Sequence, residues 1–197
     1  MIFNKHYELK NRHAILSPSS PAWLRYDSEK LLNFRLNLEA KRLGTRLHEW
    51  ACETIKLGIE QSGTDALSLY INDAIKYHMT PEQPLHYSDD CFGTADTISF
   101  EDSILRVSDY KSGTVKMYEP KQKDFEQLLV YAALFCLEYR IKPNKISTEL
   151  RVYQAEGIIE YTPEPEEIIL IMNVIENHAV VLSKINKGGF LNDGSSR

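Results

Sequence analysis

The stretch RVSDYKSG, residues 106 to 113, places an acid and a lysine two residues apart at the end of a segment that alternates like a β-strand. Residues i and i+2 of a strand share a face, so Leu105, Val107, Asp109 and Lys111 point one way while Ile104, Arg106, Ser108 and Tyr110 point the other. An apolar face thus ends in charge. Asp96, in GTADT, lies across a short connection, on a strand that would neighbour the one carrying Asp109. Two carboxylates brought together repel unless something positive is shared between them, and a divalent cation with oxygen ligands is the simplest such group. Taken alone, Asp-x-Lys also reads as charge that ends a strand before a turn, and both readings stand at this level.

The elements that must position these residues are legible in the patterning. Serines and a proline in SPSSPAWLRYDSEKLLNF predict a helix start near Ser20. A second helix is expected from about Arg42, with Leu43, Leu47, Trp50, Ala51 and Thr54 on a buried face. TDALSLYINDAIKYH predicts a third, capped by Thr64. The period then switches from 3.6 to 2. CFGTADTISF and ILRVSDYK both alternate, joined by EDS as a hairpin connection. KDFEQLLVYAALFCLEYR is an amphipathic helix ending before Pro143. ISTELRVYQ and GIIEYT follow as strands around a turn at Ala155 to Gly157, and PEPEEIILIMNVIENHAVVLSKINKGG closes with a glycine-capped helix.

Composition bounds the function classes. With 197 residues, 43% of them hydrophobic, the chain can bury a good core as one domain. A formal net charge of -5 argues against a bulk polyanion binder of the histone kind, but leaves room for a local basic groove. Cys52, Cys91 and Cys136 stand far apart with no C-x-x-C, so neither a zinc knuckle nor a disulfide framework is spelled out. No run approaches the roughly 18 apolar residues of a membrane span, and the opening MIFNKHYELKNRH has no apolar core of signal-peptide length. A soluble protein of a reducing cytoplasm is expected.

Four patterns occur in order: GTRLHEW on a helix, FGTADT on a strand, SDYKSG on the next strand and QLLVY on the following helix. In this order they resemble the RecB-like branch of the PD-(D/E)XK nuclease superfamily, which includes nuclease domains of helicase-nucleases, Cas4-like proteins and many phage-encoded exonucleases. LSPSSPAWLRY is similar to the serine-rich helix start of that branch. The resemblance spans about residues 16 to 155. It implies an α/β fold with a mixed sheet: a restriction-endonuclease-like αβββαβ core with additional N-terminal helices and a C-terminal helix. A single nuclease domain over 1–197 is expected, with a helical part over about 19–78, a catalytic sheet and helix over about 85–162, and a C-terminal helix over about 164–187.

The resemblance also implies roles, residue by residue. His48 matches the metal-binding histidine of the branch, Asp96 and Asp109 its two metal-binding acids, and Lys111 its catalytic lysine. The backbone carbonyl of Tyr110 would complete the metal shell. Gln127 and Tyr131 match the Q-x-x-x-Y pair, on one helix face at i and i+4. Without that context His48 reads first as a packed core histidine, while Tyr131 reads equally as a core aromatic and Gln127 as a solvated helix residue. Lys116, Lys121 and Lys123 could meet backbone phosphates or form an ordinary solvated cluster. Relatives with an iron–sulfur cluster hold it with four cysteines. Here the positions after Tyr26 are Asp27 and Ser28, and no cysteine follows Cys136, so no cluster is expected.

The implied activity is divalent-metal-dependent hydrolysis of DNA phosphodiesters, with Mg²⁺ or Mn²⁺ as cofactor. Imidazole suits Mn²⁺ better than Mg²⁺. An exonuclease in recombination, replication or DNA processing, in a bacterium or a phage-infected cell, is the leading expectation. A structure- or sequence-directed endonuclease on the same core and a non-catalytic DNA-binding subunit are the alternatives. DNA is the expected partner, together with a further copy of the chain or a recombination protein.

Overall fold

A computed structural model of the protein describes Leu16 and residues 21–112, 122–155 and 157–186. The chain falls into two compact units, residues 1–45 and 46–197. In the first, a 3-10 turn at Pro21–Arg25 precedes the start of α1, Ser28–Lys56. Asp27 Oδ1 accepts the Lys30 N–H at 2.7 Å, satisfying one of the amides that a helix start leaves open. Tyr26 packs edge to face on Phe34. The helix therefore starts at Ser28 and not near Ser20, and the two helices expected on either side of Arg42 are one. Gly44 lies inside it, and a single interior glycine costs only about 1 kcal/mol relative to alanine.

The second unit begins within α1. Along the whole helix, the face expected to be buried is only partly so. Ala51 and Thr54 are buried and Leu47 is half-buried, whereas Leu43 and Trp50 are 56% and 46% exposed. The buried arc is centred on Ile55, with Cys52 and His48 beside it. At 100° per residue that leaves Leu43 and Trp50 at its margin. Next comes α2, Ala66–Lys76. Its cap is Asp65, not Thr64: Asp65 Oδ1 accepts from the amides of Leu67 and Ser68, each at 3.1 Å, and Oδ2 accepts from Ser68 Oγ.

Five strands follow in the order β1 (Thr80–Ser88), β2 (Cys91–Glu101), β3 (Ile104–Lys111), β4 (Ser147–Gln154) and β5 (Gly157–Tyr161), which is also their order in the sheet. β3 and β4 are parallel and the other neighbours antiparallel. The parallel pair needs a crossover, supplied by α3, Gln122–Tyr139. A 3-10 turn at Pro143–Lys145 leads into β4, and α4, Pro165–Asn186, follows the sheet. The described residues thus form a mixed α/β arrangement with a five-stranded mixed sheet and four α-helices. The glycine cap expected for α4 lies outside the described residues. Among the described residues no helix is long and apolar enough to cross a membrane.

The β2–β3 connection is as short as EDS suggested. Asp102 and Ser103 have φ of 51° and 62°, the two left-handed positions of a type I′ turn, and Glu101 pairs with Ile104. β1 has no counterpart in the patterning. Pro81 and Pro84 interrupt it, and proline is confined to positions such as this sheet edge because it donates no ladder hydrogen bond.

Both faces of the sheet are covered. On one, Leu105, Val107, Leu150 and Val152 pack against Leu128, Ala132 and Cys136 of α3, with Ile168 and Ile175 of α4 in the same core. Full burial of one such leucine contributes roughly 2 kcal/mol. On the other, Tyr110 and Tyr153 pack among Ala51 and Ile55 of α1 and Tyr70, Ile71 and Ala74 of α2. Polar contacts fasten α2 to the sheet as well. The Tyr153 hydroxyl donates to Asp73 at 2.6 Å, Arg151 pairs with Asp73, and the guanidinium groups of Arg106 and Arg151 both lie over the ring of Tyr77.

Candidate metal centre

β2 and β3 pair from Glu101↔Ile104 to Thr97↔Ser108 and then part. Extended by one residue, that register would set Asp96 against Asp109. Instead the Asp96 side chain takes over where the ladder stops, its Oδ2 accepting the Tyr110 N–H at a long 3.4 Å. The same oxygen lies 3.2 Å from His48 Nδ1, brought in by α1. The Tyr110 ring walls the imidazole at 5.7 Å between centroids and is itself backed by Tyr70, then Tyr153. The histidine is thus partly packed and also faces a carboxylate.

Asp109 is 6% exposed, and its Oδ2 is a buried oxygen with no hydrogen-bond partner. Lys111 Nζ lies 2.8 Å from it, an ion-pair contact whose alignment is not that of a hydrogen bond. Lys111 also reaches Gln127 Oε1 at 3.5 Å, and Gln127 Nε2 reaches the Tyr131 hydroxyl at 3.4 Å. The i, i+4 pair on α3 therefore forms a loose chain leading to the lysine. Gly93 makes room for it, since a Cβ there would stand 3.1 Å from Tyr131 Cε1.

Charge in the cluster is unevenly shared. Burial, then the neighbouring Asp96 charge, pushes the Asp109 carboxyl up to about 6, against the pull of Lys111. Burial pushes Asp96 upward too, but its hydrogen bond to His48 and the charge there outweigh it, leaving Asp96 below its ordinary value. His48 is raised, first by the bond to Asp96, with burial opposing and the charges of Asp96, Asp109 and Glu82 adding. The site gathers negative charge faster than the protein neutralises it.

His48, Asp96, Asp109, Lys111, Gln127 and Tyr131 are therefore gathered from α1, β2, β3 and α3. The Tyr110 backbone lies among them, contributing its N–H to Asp96. Lys116 and Lys121 lie outside the described residues. Lys123 falls in α3, but its side chain is likewise outside what is described.

One residue at the site was missed. Glu82, on β1, offers a carboxylate oxygen that lies, with one donor atom each of His48 and Asp96, in a group mutually within 4.8 Å. It precedes Gln83, which pairs with Ala95, and follows Pro81, which pairs with Thr97, so it stands opposite Asp96. The signal was the turn at Ser88↔Cys91: counting back from it brings PEQP alongside GTADT.

The donor set, an imidazole and two carboxylates whose donor atoms lie within 4.8 Å of one another, fits a small divalent cation. No family model and no curated protein matches the chain.

Proposed function

We propose that the protein is a divalent-metal-dependent deoxyribonuclease, an exonuclease of the RecB-like PD-(D/E)XK type on a restriction-endonuclease-like αβββαβ core. The observation that carries this reading is the open end of the β2–β3 hairpin, where Asp96, Asp109 and Lys111 meet His48 from α1. The element order α, three antiparallel strands, α, parallel strand is the order that such a core requires.

A bound Mg²⁺ or Mn²⁺, held by His48, Asp96, Asp109 and the Tyr110 carbonyl, would supply a hydroxide near neutral pH and counter-charge for the phosphate. The chain's own residues do the rest. Asp109 holds the Lys111 ammonium at 2.8 Å, where it can meet a water or a phosphate oxygen. Gln127 limits the lysine's swing, and Tyr131 limits that of Gln127. Tyr110 meets Asp96 through its amide and His48 through its ring, which sets the two side by side.

The test is a digestion time course with Mn²⁺ or Mg²⁺ on end-labelled linear DNA, single- and double-stranded, beside covalently closed circles. Release of labelled mononucleotides or short products from linear DNA alone is the expected result. Cleavage of the circles would convert the reading to an endonuclease. Binding of DNA without metal-dependent products would leave a non-catalytic DNA-binding subunit.

A further inference from the structure

Glu82 stands in the first of three adjacent strands, and its position continues into Asp96 and Asp109 on the next two. Pro81↔Thr97 and Gln83↔Ala95 bracket Glu82 opposite Asp96, and Thr97↔Ser108 places Asp96 one step from Asp109. Three carboxylates thus lie in a row across β1, β2 and β3. Like charges directly opposite on neighbouring strands destabilise a sheet. Lys111 faces this row at Asp109 and the imidazole of His48 at Asp96, while the charge of Lys56 acts on Glu82.

We propose that Glu82 is a ligand of the cation, completing with His48 and Asp96 a shell drawn from α1, β1 and β2, with Asp109 joining from the far side of Asp96. Donor atoms around a small octahedral cation stand about 3 Å apart when adjacent and about 4.2 Å apart when opposite. His48 Nδ1 and Asp96 Oδ2 are 3.2 Å apart, and the Glu82 oxygen lies with a donor of each in a group no wider than 4.8 Å. The group is therefore compact enough to close on one ion with small side-chain adjustments. Asp109 adds a third carboxylate beside Asp96, its side chain 8% exposed and its Oδ2 2.8 Å from Lys111 Nζ. One ammonium and one imidazole against three carboxylates leave the row short of positive charge, which a divalent cation would supply.

The backbone shows how Glu82 comes to be available. Its φ of 51° turns the strand locally between Pro81 and Pro84, in a conformation side-chain-bearing residues seldom adopt. The edge strand thereby lends an exposed carboxylate to a site otherwise drawn from α1 and inner strands. A shell of one imidazole and several carboxylates favours Mn²⁺ over Ca²⁺, which seeks oxygen alone.

The inference rests on the metal-binding part of the proposed function, and one experiment separates the two. Mn²⁺ is titrated into the full-length protein and its Glu82→Gln, Asp96→Asn and Glu101→Gln variants, with free Mn²⁺ read by electron paramagnetic resonance and thermal melts recorded in chelator. Glu82→Gln is expected to weaken Mn²⁺ binding at least tenfold while its metal-free melting temperature stays level or rises, since a repelling charge is gone. Glu101→Gln, on the same sheet away from the site, should bind as the parent does. Unchanged affinity in Glu82→Gln would overturn the assignment of Glu82 and leave the nuclease reading standing. A lower metal-free melting temperature with unchanged affinity would make Glu82 a structural residue and overturn it too. A parent protein that fails to bind Mn²⁺ at millimolar concentration would end both. Tight binding that depends on Glu82, without any DNA cleavage, would retain the metal site and dismiss the nuclease.

Discussion

The β2–β3 hairpin is closed at one end and open at the other, and its two ends spend their residues differently. At the closed end the ladder runs unbroken to the Asp102–Ser103 turn, and Leu105 and Ile98 enter the α3-side core. At the open end the same strands separate, and apolar side chains give way to Asp96, Asp109 and Lys111. The closed end fixes where each strand lies, so the open end can hold mutually repelling carboxylates without relocating them. Local stability a few residues away is what permits an arrangement that a sheet would otherwise reject.

The open end is where substitution should cost the most. On the proposed reading Asp109→Ala lowers DNA cleavage by on the order of 1,000-fold or more, because a ligand and the anchor of Lys111 go together. Its metal-free melting temperature should hold or rise, and cleavage at the parental rate by a folded variant would remove Asp109 from the site. Lys111→Ala should retain Mn²⁺ and DNA yet lose on the order of 100-fold in single-turnover rate. Lys111→Arg should recover only part of it, since a guanidinium keeps the charge but has a different shape and reach. Loss of metal in the alanine variant would show that Lys111 supports the site and is not a separate catalytic group.

At the closed end the expectation is the reverse. Leu105→Ala empties a fully buried position and should cost roughly 2–5 kcal/mol of stability. Cleavage per folded molecule, measured well below the melting temperature, should change less than about threefold. A larger loss would mean that the two ends are mechanically coupled.

The smallest effect is on the pH dependence of stability. Asp109 holds its proton in the fold up to about 6, against an ordinary 3.8, so folding loses stability as pH rises between those values and does not regain it above. His48, raised above 6.5, adds stability at low pH that is likewise lost as pH rises through its folded value. Asp96, lowered, acts only in more acid solution. Melts in chelator should therefore show a less stable protein at pH 8 than at pH 5, by on the order of 1–3 kcal/mol. Mn²⁺ should offset the loss at pH 8, and Asp109→Asn should flatten the slope. An equal slope in Asp109→Asn would mean that the dependence arises elsewhere.

What the sequence made legible followed from regular side-chain periods. Leu105, Val107 and Asp109 announced one face of β3, and EDS announced its turn. The open-end residues followed from the resemblance carried by four motifs in order, since period alone leaves Asp109 and Lys111 as charge at a strand end. β1 was hidden because Pro81, Pro84 and the left-handed Glu82 erase the alternation, and Glu82 was lost with it. The helix start at Ser28 was misplaced because Ser20 and Pro21 carry the same local chemistry as Asp27. Thr64 and Asp65 are both good caps, and only the direction of the Asp65 carboxylate decides between them.

Tyr110 gives the site one more property. Its amide hydrogen is committed to the Asp96 side chain, while its ring lies in the aromatic row of Tyr70 and Tyr153. Ladder amides of β3 exchange with solvent only when the sheet opens, but this one is protected by a carboxylate that can turn away by itself. Its exchange clock is therefore set by the side-chain motion of Asp96. A probe of that single amide reads how often the site rearranges, independently of how often the protein unfolds.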